Sequence, residues 1–189
     1  ASRADQEDKV IAGNTFDYPA IHGAALMESG YSFVSASVAA VENGIVDMKQ
    51  YKLADLILGK QKETQIGRGE VPNRFLAFTA PLQKAIADYT ANGGSILVSG
   101  SYVATDIWDK ANPDEASKEF AKQTLGYQWR VGQATIEGKA HTVPTYFDSF
   151  GDLNVEYYTT LNDKFYAVES PDGIYPADKT KGCTLMRYG

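Results

Sequence analysis

The chain has 189 residues, 43% hydrophobic and 22% charged, a balance that fits one folded domain with a buried core and excludes a wholly disordered segment. Its formal charge of −6, with 18 basic residues scattered among 24 acidic ones, argues against nucleic acid as a partner, because a phosphate-binding surface needs clustered Lys and Arg. The longest apolar runs, such as Ile96-Leu97-Val98, are too short to span a membrane, and the single cysteine, Cys183, excludes an internal disulfide and a multi-cysteine metal site.

Residues 1–8 are polar and aperiodic, as expected of a disordered or linker segment, which leaves 9–189 as a single α/β domain. Val10-Ile11-Ala12-Gly13 reads as a first strand, and 21–29 as a helix stopped by Gly30. Tyr31-Ser32-Phe33-Val34 reads as a second strand, followed by a short helix from Val38 to Asn43 closed by Gly44. The run Ala54-Asp55-Leu56-Ile57-Leu58-Gly59 is nearly continuous in apolar residues, the pattern of a strand buried on both faces. Gln61 to Asn73 is polar, holds glycines and a proline, and reads as a loop. Phe75, Phe78, Leu82, Ile86 and Tyr89 recur at helical spacing until Asn92-Gly93-Gly94, and Ser95 to Gly100 follows as a fourth strand.

Strand, helix, strand, loop, helix, strand is the rhythm of a doubly wound, flavodoxin-like parallel sheet with right-handed crossovers. One more helix is expected from Asp114 to Leu125, ended by Gly126. The last third changes character. Tyr127–Val131, 134–138, 165–168 and 184–188 read as short strands, expected as antiparallel additions at one edge of the same sheet.

Three stretches, 12–23, 51–61 and 92–106, together with the closing Tyr166-Ala167-Val168-Glu169-Ser170-Pro171-Asp172 and Arg187-Tyr188, resemble one family. It is the class I glutamine amidotransferase-like domain of large secreted bacterial proteins labelled xanthan lyase, some of them golvesin-associated. The resemblance implies a secreted, periplasmic or cell-surface location, neighbouring domains on the same polypeptide, and a carbohydrate or cell-wall ligand. The chain starts like an excised domain or a processed chain, so the lack of a signal peptide does not argue for the cytoplasm. The resemblance also implies a nucleophile on the tight turn after the fourth strand, where working amidotransferases carry cysteine in a Gly-x-Cys-x-Gly pattern. Here the turn reads Val98-Ser99-Gly100-Ser101-Tyr102-Val103, and His141 is followed by Thr142 and Val143 rather than completing a His-x-Glu pair. Without thiol and base there is no glutaminase chemistry.

In open parallel sheets, ligands bind at the carboxyl ends of the strands. The loops after the predicted strands supply Asn14, Thr15, Asp17 and His22, then Gln61, then Ser99, Ser101, Thr105 and Asp106. Asn14, Thr15, Gln61, Ser99 and Asp106 are therefore candidate ligand-binding residues, although such residues also cap helices and make turns. Ser101 with His22 and Asp17 is the one constellation suited to serine hydrolysis, weakened by Val103 where the elbow motif has its second glycine.

Glu169 and Asp172 are either paired carboxylates for sugar chemistry or the ends of a Glu-Ser-Pro-Asp-Gly turn, and the turn reading fits its residues better. Trp108 and Trp129 read as packing residues, and Cys183 as a small buried one. Gly67-Arg68-Gly69 follows no strand and cradles no phosphate, so no cofactor is expected. The resulting expectation is a non-catalytic or degenerate amidotransferase-like module, with a serine hydrolase or part of a xanthan-type lyase as alternatives.

Overall fold

The computed structural model describes residues 18–62, 64–66, 73–109, 113–143, 151–160, 167–168 and 170–189. The chain is mixed α/β with small sheets, one of them a parallel pair, and its contacts divide it into two compact units between Asp106 and Ile107. No helix among the described residues is long and apolar enough to cross a membrane.

In the first unit, helix α1 (Tyr18–Glu28) is followed by α2 (Val38–Glu42), whose N-terminus is capped by the Ser37 hydroxyl accepting from the Ala40 amide. A 3-10 turn (Met48–Gln50) leads into strand β1 (Leu53–Gly59). A small antiparallel pair, β2 (Thr64–Ile66) and β3 (Asn73–Phe75), precedes helix α3 (Ala80–Ala91) and strand β4 (Ser95–Gly100). A one-turn helix, α4 (Thr105–Trp108), comes next.

β1 and β4 pair in parallel, with Leu56, Ile57 and Leu58 buried as the apolar run requires. Helix α3 packs Leu82, Ile86 and Tyr89 into the same core, and the Tyr89 hydroxyl donates to the carbonyl of Ser95 at the start of β4. Thr79 caps α3 by accepting from the Leu82 amide, and it also donates its hydroxyl to Glu42.

In the second unit, α5 (Glu115–Phe120) is capped by Asp114 and widens into one π turn (Ala121–Leu125) before Gly126. Strand β5 (Tyr127–Val131) pairs antiparallel with β8 (Gly173–Pro176). Strand β6 (Lys139–Thr142) pairs antiparallel with β7 (Asn154–Glu156) on one side and β9 (Met186–Tyr188) on the other.

Several expectations are corrected. The segment 31–34 forms no ladder with another described strand, and Phe33 and Val34 are exposed. The polar stretch after Gln61 is not wholly loop, since Thr64–Ile66 pairs with Asn73–Phe75. The helix expected from Phe75 starts at Ala80, because Thr79 takes the cap and Pro81 suits the first turn, where its missing N–H costs nothing. The strand expected at 134–138 is a bend instead, with the Thr135 hydroxyl accepting from the Glu137 amide and supplying a local alternative to a ladder. The antiparallel strands form sheets of their own rather than an edge of the β1–β4 pair. The expected first strand, 10–13, and Phe165 and Tyr166 lie outside the described residues.

Candidate functional site

β1 and β4 run in register from Leu53 opposite Ser95 to Ile57 opposite Ser99, so their carboxyl ends lie together. The register then shifts between Ile57 and Gly59, where Gly59 pairs with Gly100. Gly59 has a φ of 57°, a left-handed conformation that glycine adopts without a Cβ clash. Bulges are rare in parallel pairs and concentrate where the backbone re-aims a side chain near a functional site.

Beyond this bulge lie Lys60 and Gln61, each only 3% exposed. The Gln61 amide donates to the Leu58 carbonyl, and its side-chain Nε2 donates to the Lys62 carbonyl at 3.0 Å. Its Oε1 is buried without a hydrogen-bond partner. A buried acceptor left unsatisfied costs about 1–3 kcal/mol, so such a group calls for a structural or functional reason. Ser101 lies beside it, its amide donating to the Gly59 carbonyl at 2.8 Å. The Lys62 ammonium sits 4.7 Å from the centre of the Tyr102 ring. One end of the parallel pair thus carries a buried amide, a hydroxyl, an aromatic ring and a cation. That set offers hydrogen-bonding groups and a ring face side by side.

The other expected site residues fall as follows. Ser99 is half-buried in β4 opposite Ile57. Asp106 is 7% exposed and its Oδ2 accepts from the Ala77 amide at 2.8 Å, fastening the approach to α3 onto the segment after β4. His22, on α1, bonds through Nδ1 to Asp55 Oδ2 at 2.8 Å. Asp55 pairs with Leu97 in mid-strand, four residues before Gly59, which is about 13 Å along a strand at roughly 3.3 Å per residue. His22 and Ser101 are therefore anchored at different levels of the pair. No non-glycine residue among those described has a positive φ, so Ser101 lacks a left-handed nucleophile elbow. Asn14, Thr15 and Asp17 lie outside the described residues.

The His22–Asp55 pair was legible in principle. An acidic residue inside an apolar strand needs a partner once buried, and a histidine on an earlier helix is within the expected topology. The burial of Lys60 carried no such signal.

In the second unit, Asp172 is 5% exposed. Burial, and then the Asp172 carboxylate, hold the Tyr127 phenol far above its ordinary value of 10.0. Burial first, then Tyr157 and Asp172, raise Tyr188 as well. Glu169 lies outside the described residues. Trp108 packs on Tyr127 with ring centres 5.9 Å apart, while the Trp129 Nε1 is buried without a partner. Cys183 is exposed rather than buried, because it follows the 178–181 turn and precedes β9 instead of lying in a ladder. Compared with family models, with curated proteins and with solved structures, the chain matches none.

Proposed function

We propose that the chain is a non-catalytic, amidotransferase-like module of a secreted polysaccharide- or cell-wall-acting protein. In this reading it has a flavodoxin-like doubly wound layout and binds a neutral saccharide at the carboxyl end of β1 and β4. The observation that carries the reading is the buried, unpartnered Oε1 of Gln61 beside the Ser101 turn. A saccharide hydroxyl donates to such an oxygen, and the Tyr102 ring offers an apolar face for a sugar C–H surface.

Catalysis finds less support. A serine hydroxyl needs a base within hydrogen-bond reach and donors for the oxyanion. His22 is engaged with Asp55, and the only cysteine is Cys183 on an exposed segment. The alternatives, a hydrolase or part of a xanthan-type lyase, predict turnover where this reading predicts binding alone.

Amide NMR titration with neutral cell-wall and xanthan-derived oligosaccharides tests the proposal. The expected shifts cluster at Gln61, Ser99, Ser101 and Tyr102 with the saccharide intact afterwards, and a fluorophosphonate probe leaves Ser101 unlabelled at pH 7 to 8. Absence of any shift at millimolar ligand overturns the binding site. Labelling that disappears in Ser101→Ala promotes the hydrolase instead.

A further inference from the structure

Tyr102 stands in the turn after β4, next to Ser101, whose amide is fixed to the Gly59 carbonyl at 2.8 Å. The residue is half-buried, and the Lys62 ammonium lies over its ring, 4.7 Å from the centre. An aromatic ring carries its negative charge density on its faces, so a cation placed there is held by electrostatic attraction.

The two ends of Lys62 are held differently. Its carbonyl accepts from the Gln61 Nε2 at 3.0 Å, and Gln61 is buried, so the main chain at this point is tied to a fixed group. Lys62 as a whole is exposed. Its ammonium can therefore leave the ring by rotation about side-chain bonds alone, a motion of about picoseconds to nanoseconds in exposed residues, with the backbone unmoved.

We infer that Lys62 is a side-chain cover on the saccharide site: its ammonium occupies the Tyr102 ring in the ligand-free chain and has to leave before a sugar stacks there. The inference rests on the saccharide reading proposed above and adds the residue that sets the affinity of that site. A neutral sugar presents C–H groups to an aromatic face and brings no charge to hold the displaced ammonium, so cation and ligand compete for one ring. Binding then forgoes the cation–π attraction, a factor of about 2 to 5 in affinity for an exposed pair. Gln61 links the two parts. Its Nε2 fixes the backbone of the covering residue, and its Oε1 is the acceptor available to a sugar hydroxyl.

Amide NMR titration of the native chain and its Lys62 variants with one neutral cell-wall oligosaccharide tests the cover. Lys62→Ala removes the ammonium, keeps the carbonyl that Gln61 holds, and is expected to bind about 2- to 5-fold more tightly than the native chain. Lys62→Arg keeps a cation that stacks on aromatic faces, and is expected to bind no more tightly than the native chain. Without saccharide, the Lys62 ε-methylene protons are expected upfield of their position in Tyr102→Leu, the ring-current mark of the contact.

Equal affinity in the native chain and Lys62→Ala overturns the inference and leaves the saccharide reading standing. Weaker binding by Lys62→Ala overturns it as well, and makes Lys62 a ligand contact. Tighter binding by Lys62→Arg, or an unshifted methylene signal, also overturns it, since the cation on the ring would then not be the obstacle. No saccharide response in any of the chains overturns the saccharide reading, and the cover with it.

Discussion

The two units bury their apolar residues to different depths. Around β1, α3 and β4, Leu58, Leu82, Ile86 and Tyr89 are each at most 1% exposed. In the antiparallel unit, Tyr127 and Phe120 remain 8% and 9% exposed, and Ile136, Leu153, Tyr158 and Ile174 lie largely in the open. The middle of β1, Leu56 to Leu58, is covered on both faces, although Leu53 and Leu97 at the rim of the parallel pair stay 48% and 55% exposed, whereas a short antiparallel ladder covers one face. The comparison assigns most packing stability to the parallel pair and its helix, and leaves apolar surface on the second unit that contributes little.

Truncation breaks or upholds that comparison most sharply. Ile86→Ala removes a fully buried side chain and is expected to lower unfolding free energy by about 2–5 kcal/mol, whereas Ile174→Ala on exposed β8 changes it by less than about 0.5 kcal/mol. Urea denaturation of both variants measures the difference. Equal losses would show that the two units share one packing density.

A smaller effect is expected at the bulge. A Cβ on Gly100 would stand 2.9 Å from the Leu58 Cβ and 3.2 Å from the Gly59 carbonyl oxygen. Leu58 is almost wholly buried and cannot move aside, so Gly100→Ala is expected to cost about 1–3 kcal/mol by overpacking. Thermal melts suffice to detect it, and an unchanged melt would mean that the strands separate easily at this end.

The smallest effect at neutral pH comes from Tyr127. Its folded pKa is raised, so the folded state holds the phenol proton more tightly than the unfolded state does. The associated stability is complete below pH 10 and is lost as pH rises above it. Tyr127→Phe is expected to flatten the alkaline limb of a stability–pH curve, leaving the neutral region nearly unchanged. An equally steep limb in the variant would place the alkaline sensitivity elsewhere.

Legibility in the sequence followed the same divide. The β1 run, the buried stripe of α3 and the β4 run all show continuous apolar content or clear helical spacing, and both strands lie within a residue of the expected boundaries while α3 starts five residues later than expected. The helix after Asp114 was equally plain from its cap and from Gly126. The antiparallel strands were harder, since three- and four-residue ladders carry almost no periodicity and turn chemistry such as that of Thr135 competes with them.

At the site, parallel pairing sufficed to bring Gln61 and Ser101 to one end. The burial of Lys60 and Gln61 was not legible, because it follows from a bulge at Leu58 and Gly59 that no residue pattern announces. His22, the base that a Ser101 hydrolase would need, is bonded to Asp55, a choice set by the placement of α1 rather than by local sequence.

The central claim is that the Gln61 amide is held buried for a ligand rather than for the fold. Gln61→Met keeps the unbranched shape, removes the unpartnered Oε1, and forgoes one part-buried hydrogen bond to the Lys62 carbonyl. Urea denaturation of Gln61→Met in the absence of ligand tests this most directly. The expected result is stability equal to the native chain or higher by up to about 1–2 kcal/mol, the signature of a polar group kept at a cost to the fold. A loss of about 2 kcal/mol or more would contradict it and make Gln61 a structural member of the β1 turn.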